Sequence, residues 1–112
     1  MNDMSQPAPL FQVRFNTETV PTSMFGNVSV SELPSRLLAH LYEEHNPETD
    51  SEGFGFALLC ETVTGEQGER FTRAILESLP NRGLADMRKM MQAAVRMNGM
   101  NVEEVGKDSP HP

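Results

Sequence analysis

The residues with the best chance of doing chemistry sit at the end of one short helical stretch. His40 and Glu44 lie four apart, on one face of a helix, and His45 follows directly. Imidazole and carboxylate are zinc ligands, but the spacing is not HExxH and no third convincing ligand stands nearby, so a solvated helix end accounts for them. Gly53-Phe54-Gly55-Phe56 has two glycines of a dinucleotide loop. It lacks the third glycine and the preceding strand, and reads as a flexible helix start. Cys60 is the one cysteine and lies in the apolar run Phe56-Ala57-Leu58-Leu59-Cys60, the setting of a small buried hydrophobe rather than a reactive thiol. No serine sits in a nucleophile elbow. The expectation is a non-enzymatic protein with no catalytic residue, no cofactor and no metal.

Binding has more to work with. Met87, Met90, Met91 and Met97 fall within eleven residues, and Met100 follows. On a helix Leu84, Met87, Met91, Ala94, Val95 and Asn98 trace one face, and Met90, Ala93 and Met97 an adjoining one. A small domain without Trp could simply fill its core with Met. Thioethers also adapt to varied apolar shapes, which suits a helix-binding or chaperone-like surface. The expected partner-binding set is Met87, Met90, Met91, Ala93, Met97 and Met100, with Met90 and Met97 more exposed than Met87 and Met91. Charge is segregated too. Glu43 to Glu69 holds eight acidic residues and no Lys or Arg, whereas Arg70 to Arg96 holds six basic residues against Glu77 and Asp86. A solvated acidic loop beside two ordinary helices explains this. A dipolar molecule that self-associates or docks on charged partners is the sharper account.

Composition narrows the classes. With 112 residues, one domain is expected, burying roughly two-thirds of its unfolded surface. Sixteen acidic against nine basic residues give a net charge of −7, which argues against contact with nucleic-acid phosphates or an anionic membrane. No apolar run approaches the ~20 residues of a membrane span. The N-terminus has no basic region followed by an apolar stretch, so no signal peptide is expected, and a single cysteine suits a reducing cytoplasm.

The elements that must position these residues read as mainly α with an N-terminal β-hairpin-like element, an α+β class. Residues 1–9 and 101–112 are expected to be disordered tails around one compact domain at 10–100. Phe11, Val13 and Phe15 alternate with Gln12 and Arg14, and Phe25 to Val30 is a second β-like run. The spacing predicts that these two strands pair, burying Phe11, Val13, Phe15, Val28 and Val30. A helix capped by Ser31 carries the stripe Leu33, Leu37, Leu38, Leu41 and Tyr42 and stops at Asn46-Pro47. Phe54 to Val63 fits helix or strand by periodicity, and its unbranched residues favour helix. Thr64 and Gln67 form a capping-box pattern for a helix with Phe71, Ala74, Ile75 and Leu79 inside. Pro80 to Gly83 is a turn, and the last helix runs from about Leu84 to Asn98 with Gly99 as its C′ residue. The core is expected at Leu37, Leu41, Phe56, Leu59, Phe71, Ile75, Leu79, Met87 and Met91.

This layout resembles the tail assembly chaperones of long-tailed bacteriophages, which are small, acidic and largely helical. In them a short β-like stretch near a Leu-Pro leads into a helical region, here Phe11 to Val30 and Leu33-Pro34. Glu66-Gln67-Gly68-Glu69-Arg70-Phe71, the Leu79-Pro80 break and the helix to Met97 are similar to the family's paired C-terminal helices. Gly106 and Ser109 fall where some relatives carry Gly-Glu-Ser. The resemblance spans residues 10–109 and implies binding to the tape measure protein during tail morphogenesis in the host cytoplasm, without chemistry. It also implies that a longer frameshifted form can exist. The alternative is an acidic regulatory or inhibitory protein that binds a nucleic-acid enzyme, motivated by the stretch from Glu43 to Glu69.

Overall fold

The computed structural model describes residues 7–100. The expected tails at 1–6 and 101–112 lie outside the described residues, and 7–9 are exposed irregular chain. Among the described residues the fold is α+β: an N-terminal hairpin within a three-stranded antiparallel sheet, packed with four helices.

The first strand is β1 (Thr17–Pro21) and the second is β2 (Asn27–Ser31), with Val20 opposite Val28 and Glu18 opposite Val30. Val20, Val28 and Val30 point inward, and Thr17, Thr19 and Ser29 outward, the period-two pattern of a half-buried sheet. The turn at 22–26 closes when Thr22 N donates to Gly26 O at 2.9 Å and the Thr22 hydroxyl accepts from Phe25 N at 2.9 Å. Gly26 has φ 69°, a left-handed conformation that favours glycine.

The first strand is therefore not at Leu10–Phe15, as alternation predicted. Phe11, Val13 and Phe15 are exposed and belong to no strand. The reason is the length of the neighbouring strand. The ladder's last rung joins Glu32 N to Asn16 O at 2.9 Å, and Leu33-Pro34 then turns the chain into a helix. Among the described residues no strand continues alongside residues 10–15 for them to pair with.

Helix α1 (Ser35–Glu44) starts after Pro34 without a side-chain cap. Ser31, the expected cap, ends β2, and its hydroxyl donates to Thr62 O at 3.3 Å. Leu41 is buried, and Leu33, Leu37, Leu38 and Tyr42 are half-buried. Helix α2 (Ser51–Thr62) settles the ambiguous apolar run as helix. The Asp50 carboxylate caps it by accepting from Gly53 N at 3.1 Å. Phe54, Leu58 and Leu59 are wholly buried, because α2 is packed by α1, by the sheet and by the two later helices.

After α2 the short strand β3 (Val63–Thr64) joins β2, pairing Val63 with Val30. The capping box expected at Thr64 and Gln67 does not form. Thr64 is in the sheet and bridges to Arg70 across a tight loop, in which Gly65 N donates to Glu69 O at 2.9 Å. Gly65 and Gly68 favour this turn over a helical one. Helix α3 (Arg73–Glu77) starts later, capped by Thr72, whose hydroxyl accepts from Ile75 N at 3.2 Å. The late start changes which side faces in: Leu76 is buried and Ile75, expected in the core, is exposed.

Helix α4 (Asn81–Met97) takes the expected turn Asn81-Arg82-Gly83 as its own first turn. It ends in a Schellman arrangement, with Met100 N donating to Val95 O at 2.9 Å, Gly99 N to Arg96 O at 3.2 Å, and Gly99 at φ 69°. Among the described residues no helix is long and apolar enough to cross a membrane.

Candidate interaction surface

The titratable cluster at the end of α1 divides into two surface pairs. His40 Nε2 meets Glu44 Oε2 at 3.2 Å, and His45 Nδ1 meets Asp50 Oδ2 at 3.2 Å. The His45 imidazole, then the Gly53 backbone N–H, hold the Asp50 carboxyl below its ordinary pKa, which suits a helix cap. Among the described residues no three His, Cys, Asp or Glu side chains are grouped to hold a metal ion. Burial, followed by the charge of Glu61, pushes the Cys60 thiol up, away from the thiolate form.

The methionines of α4 are arranged differently from the sequence expectation. Met90 is wholly buried and Ala93 nearly so, while Met87, Met91, Met97 and Met100 are half-buried at the edge of the core. The predicted order of exposure is thus reversed for Met90. Its stripe runs through Gly83, Asp86, Met90, Ala93 and Ala94, the side of α4 that faces the sheet and α2. Gly83 sits close enough to Met24 that a Cβ there would lie 2.9 Å from its sulfur. The packing of α4 against the hairpin therefore begins at its first turn.

Asp86 lies on the same buried stripe, a carboxylate among apolar neighbours. Its Oδ1 accepts from Ser23 N at 2.9 Å and its Oδ2 from Met24 N at 2.8 Å. This clamp fastens the β1–β2 turn to α4 and sets the positions of Met24 and Phe25. A charged residue on an apolar face is the signal that marks it in the sequence.

The clamped turn forms one wall of an apolar cleft of about 370 Å³, completed by Val28, Gly65, Phe71 and Ile75, with Glu69 and Arg70 at its polar side. Phe25 and Phe71 meet edge to face, with ring centroids 4.9 Å apart. Arg70 is fixed by donating to Cys60 O at 2.8 Å and Glu61 O at 3.0 Å, which satisfies carbonyls at the end of α2. Met24, Phe25, Val28, Phe71 and Ile75 make most of the cleft's lining apolar. Its residues come from the turn, β2, the loop after β3 and α3, and no single periodic stretch announces it.

The second apolar feature is the segment before β1. Leu10, Phe11 and Val13 are 84%, 103% and 77% exposed, and Phe15 is half exposed. The acidic stretch also faces solvent, but part of it is used within the chain. Asp50 caps α2, Glu66 Oε2 accepts from Asn27 N at 3.2 Å, and Glu69 Oε1 accepts from Gln67 N at 2.8 Å. Opposite charges are joined where Arg96 donates to both carboxylate oxygens of Glu18 at 2.8 Å, tying α4 to β1. The Arg96 hydrogen bond holds the Glu18 carboxyl below its ordinary pKa.

No protein-family model, curated protein or solved structure matches this chain.

Proposed function

We propose that the chain is a non-enzymatic assembly chaperone that binds another protein through exposed apolar side chains. The observation that carries this reading is the run Leu10, Phe11, Val13 and Phe15, which stands in solvent beside a well-packed domain. Covering such groups yields on the order of 25 cal/mol per Å² before the costs of association, so a partner surface is their natural destination. The order of elements supports the more specific form. A hairpin leads through Leu33-Pro34 into helices, and α3 and α4 are separated at Leu79-Pro80, as in the tail assembly chaperones that the sequence resembles. On this reading the partner is a tape measure protein, bound in the host cytoplasm during tail morphogenesis.

Co-expression with the product of a neighbouring gene for a very long coiled-coil protein tests it. A complex should co-purify, and repeated recovery of the two proteins apart would sink the proposal. The competing reading, an acidic inhibitor of a nucleic-acid enzyme, draws on the exposure of Glu43, Glu52 and Glu61. It requires binding to a nuclease or polymerase that DNA displaces and salt weakens.

A further inference from the structure

We infer that two copies of the protein exchange their N-terminal arms, residues 10–15 of each lying in the cleft between Phe25, Phe71 and Ile75 of the other. The arm has the chemistry of an occupant. It belongs to no helix or strand, and Phe11, Val13 and Phe15 stand at alternate positions in the sequence with their apolar surface in solvent. The cleft has the chemistry of a receiver: an aromatic pair, Met24, Val28 and the exposed Ile75 around about 370 Å³.

Charge agrees with this match. Arg14 makes no ion pair with a described residue, and its hydrogen bond goes to Gln12 Oε1 at 3.4 Å. The loop at the cleft carries Glu66 and Glu69. An arm seated in the cleft brings a cation between apolar anchors to a rim where the Glu69 carboxylate stands and the Arg70 guanidinium is turned onto the Cys60 and Glu61 carbonyls.

Chain geometry directs the arm to another copy. The arm is rooted at Asn16, at the end of the hairpin where Thr17 faces Ser31. The cleft lies at the opposite end, by the turn at 22–26, about 17 Å away along a five-residue strand. To reach its own cleft the chain must reverse at Asn16. There the backbone is held on both sides, with Asn16 N donating to Glu32 Oε1 at 2.8 Å and Glu32 N donating to Asn16 O at 2.9 Å. A second copy needs no reversal. Because each copy carries one arm and one cleft, a two-fold pair closes with both filled and leaves no open end.

The full chain alone, studied by light scattering across a concentration series, should show twice the 12.5 kDa chain mass. Phe11→Ser with Val13→Ser alters only exposed side chains. It should leave the circular dichroism unchanged and weaken association by at least about tenfold. The chain carrying both V13C and I75C, oxidised at low concentration, reports whose cleft is filled. A disulfide between copies through positions 13 and 75 supports the exchange, and an intrachain disulfide shows that the arm seats in cis and overturns it. A monomer at every concentration, or a dimer indifferent to the arm substitutions, also overturns it. The exchange uses the same arm as the proposed function, so a tape measure protein would have to displace it; these readouts use the chain alone and co-expression measures that binding separately, so either can fail without the other.

Discussion

Two stretches of this chain carry the same alternating pattern and end in opposite environments. In β2, Val28 and Val30 are buried while Asn27 and Ser29 are exposed. In residues 10–15, Phe11, Val13 and Phe15 alternate just as regularly and all three are exposed. The arm's larger apolar side chains would gain more from burial, so hydrophobicity does not decide between them. What differs is the neighbours. β2 has β1 on one side and β3 on the other, with Val20 and Val63 beside its own valines. The arm has run past the point where Leu33-Pro34 takes the chain away into α1. Alternation shows that a segment can lie on a sheet, and pairing partners determine whether it does.

Two phenylalanines should differ most. Phe54, on α2 against the Tyr42 ring of α1, is wholly buried, and Phe54→Ala should lower the stability by about 3–5 kcal/mol. Phe11→Ala should change it by less than about 0.5 kcal/mol. Chemical denaturation of the two variants decides the matter. A loss of several kcal/mol at Phe11 would show that the arm is packed within its own fold.

The clamp that holds the other end of the hairpin comes next. Asp86→Ala leaves the amides of Ser23 and Met24 without the carboxylate and should cost about 1–3 kcal/mol. Because the clamp positions Met24 and Phe25, the same variant should also disturb the cleft. The aromatic chemical shifts of Phe25 and Phe71 should move, whereas those of Phe11 stay where they are. If stability is unchanged, the turn is held by its own Thr22–Gly26 bonds alone.

These residues also show what was legible in the sequence. The α+β class, β2, α1, the helical character of residues 54–62 and the Gly99 helix end all rest on local patterns, and local patterns are what a sequence displays. Where the structure departs from these patterns, strand pairing and capping decide, and neither is displayed by local periodicity. The arm lost its strand because β2 ends early, the Thr64 capping box gave way to pairing with β2 and a bridge to Arg70, and Ile75 moved outward when α3 started at Arg73. Met90 took the central place in α4 because the sheet and α2 both lie on its side. The cleft was the least visible feature, since two stretches far apart in the chain, 24–28 and 65–75, build it.

Hydrogen exchange sharpens the contrast residue by residue. The amides of Val28 and Val30 should exchange slowly, with protection approaching that of global unfolding. Those of Gln12 and Arg14, with no ladder partner in the single chain, should exchange at rates close to an unstructured peptide at concentrations where the chain is monomeric. Protection at Gln12 and Arg14 that persists on dilution would mean that the arm pairs within one copy.

The smallest effect expected is at Glu18, where the hairpin's first strand is tied to α4. The bidentate pair with Arg96 is solvent-exposed, so Glu18→Gln should lower the melting temperature only slightly at neutral pH, and less in high salt. Its pH dependence is the more telling readout. The Arg96 hydrogen bond holds the Glu18 carboxyl below its ordinary value of 4.5, so the folded state binds this proton less readily than the unfolded chain does. The stabilisation is therefore fully present above that ordinary value and is lost as pH falls through the lowered folded value. Below it the carboxyl is protonated in both states and resembles the glutamine. The melting temperatures of the native chain and Glu18→Gln should differ at pH 7 and converge in acid. A gap that stays constant or widens as the pH falls would mean that glutamine acts through something other than the lost charge pair, such as the inner-face position opposite Val30.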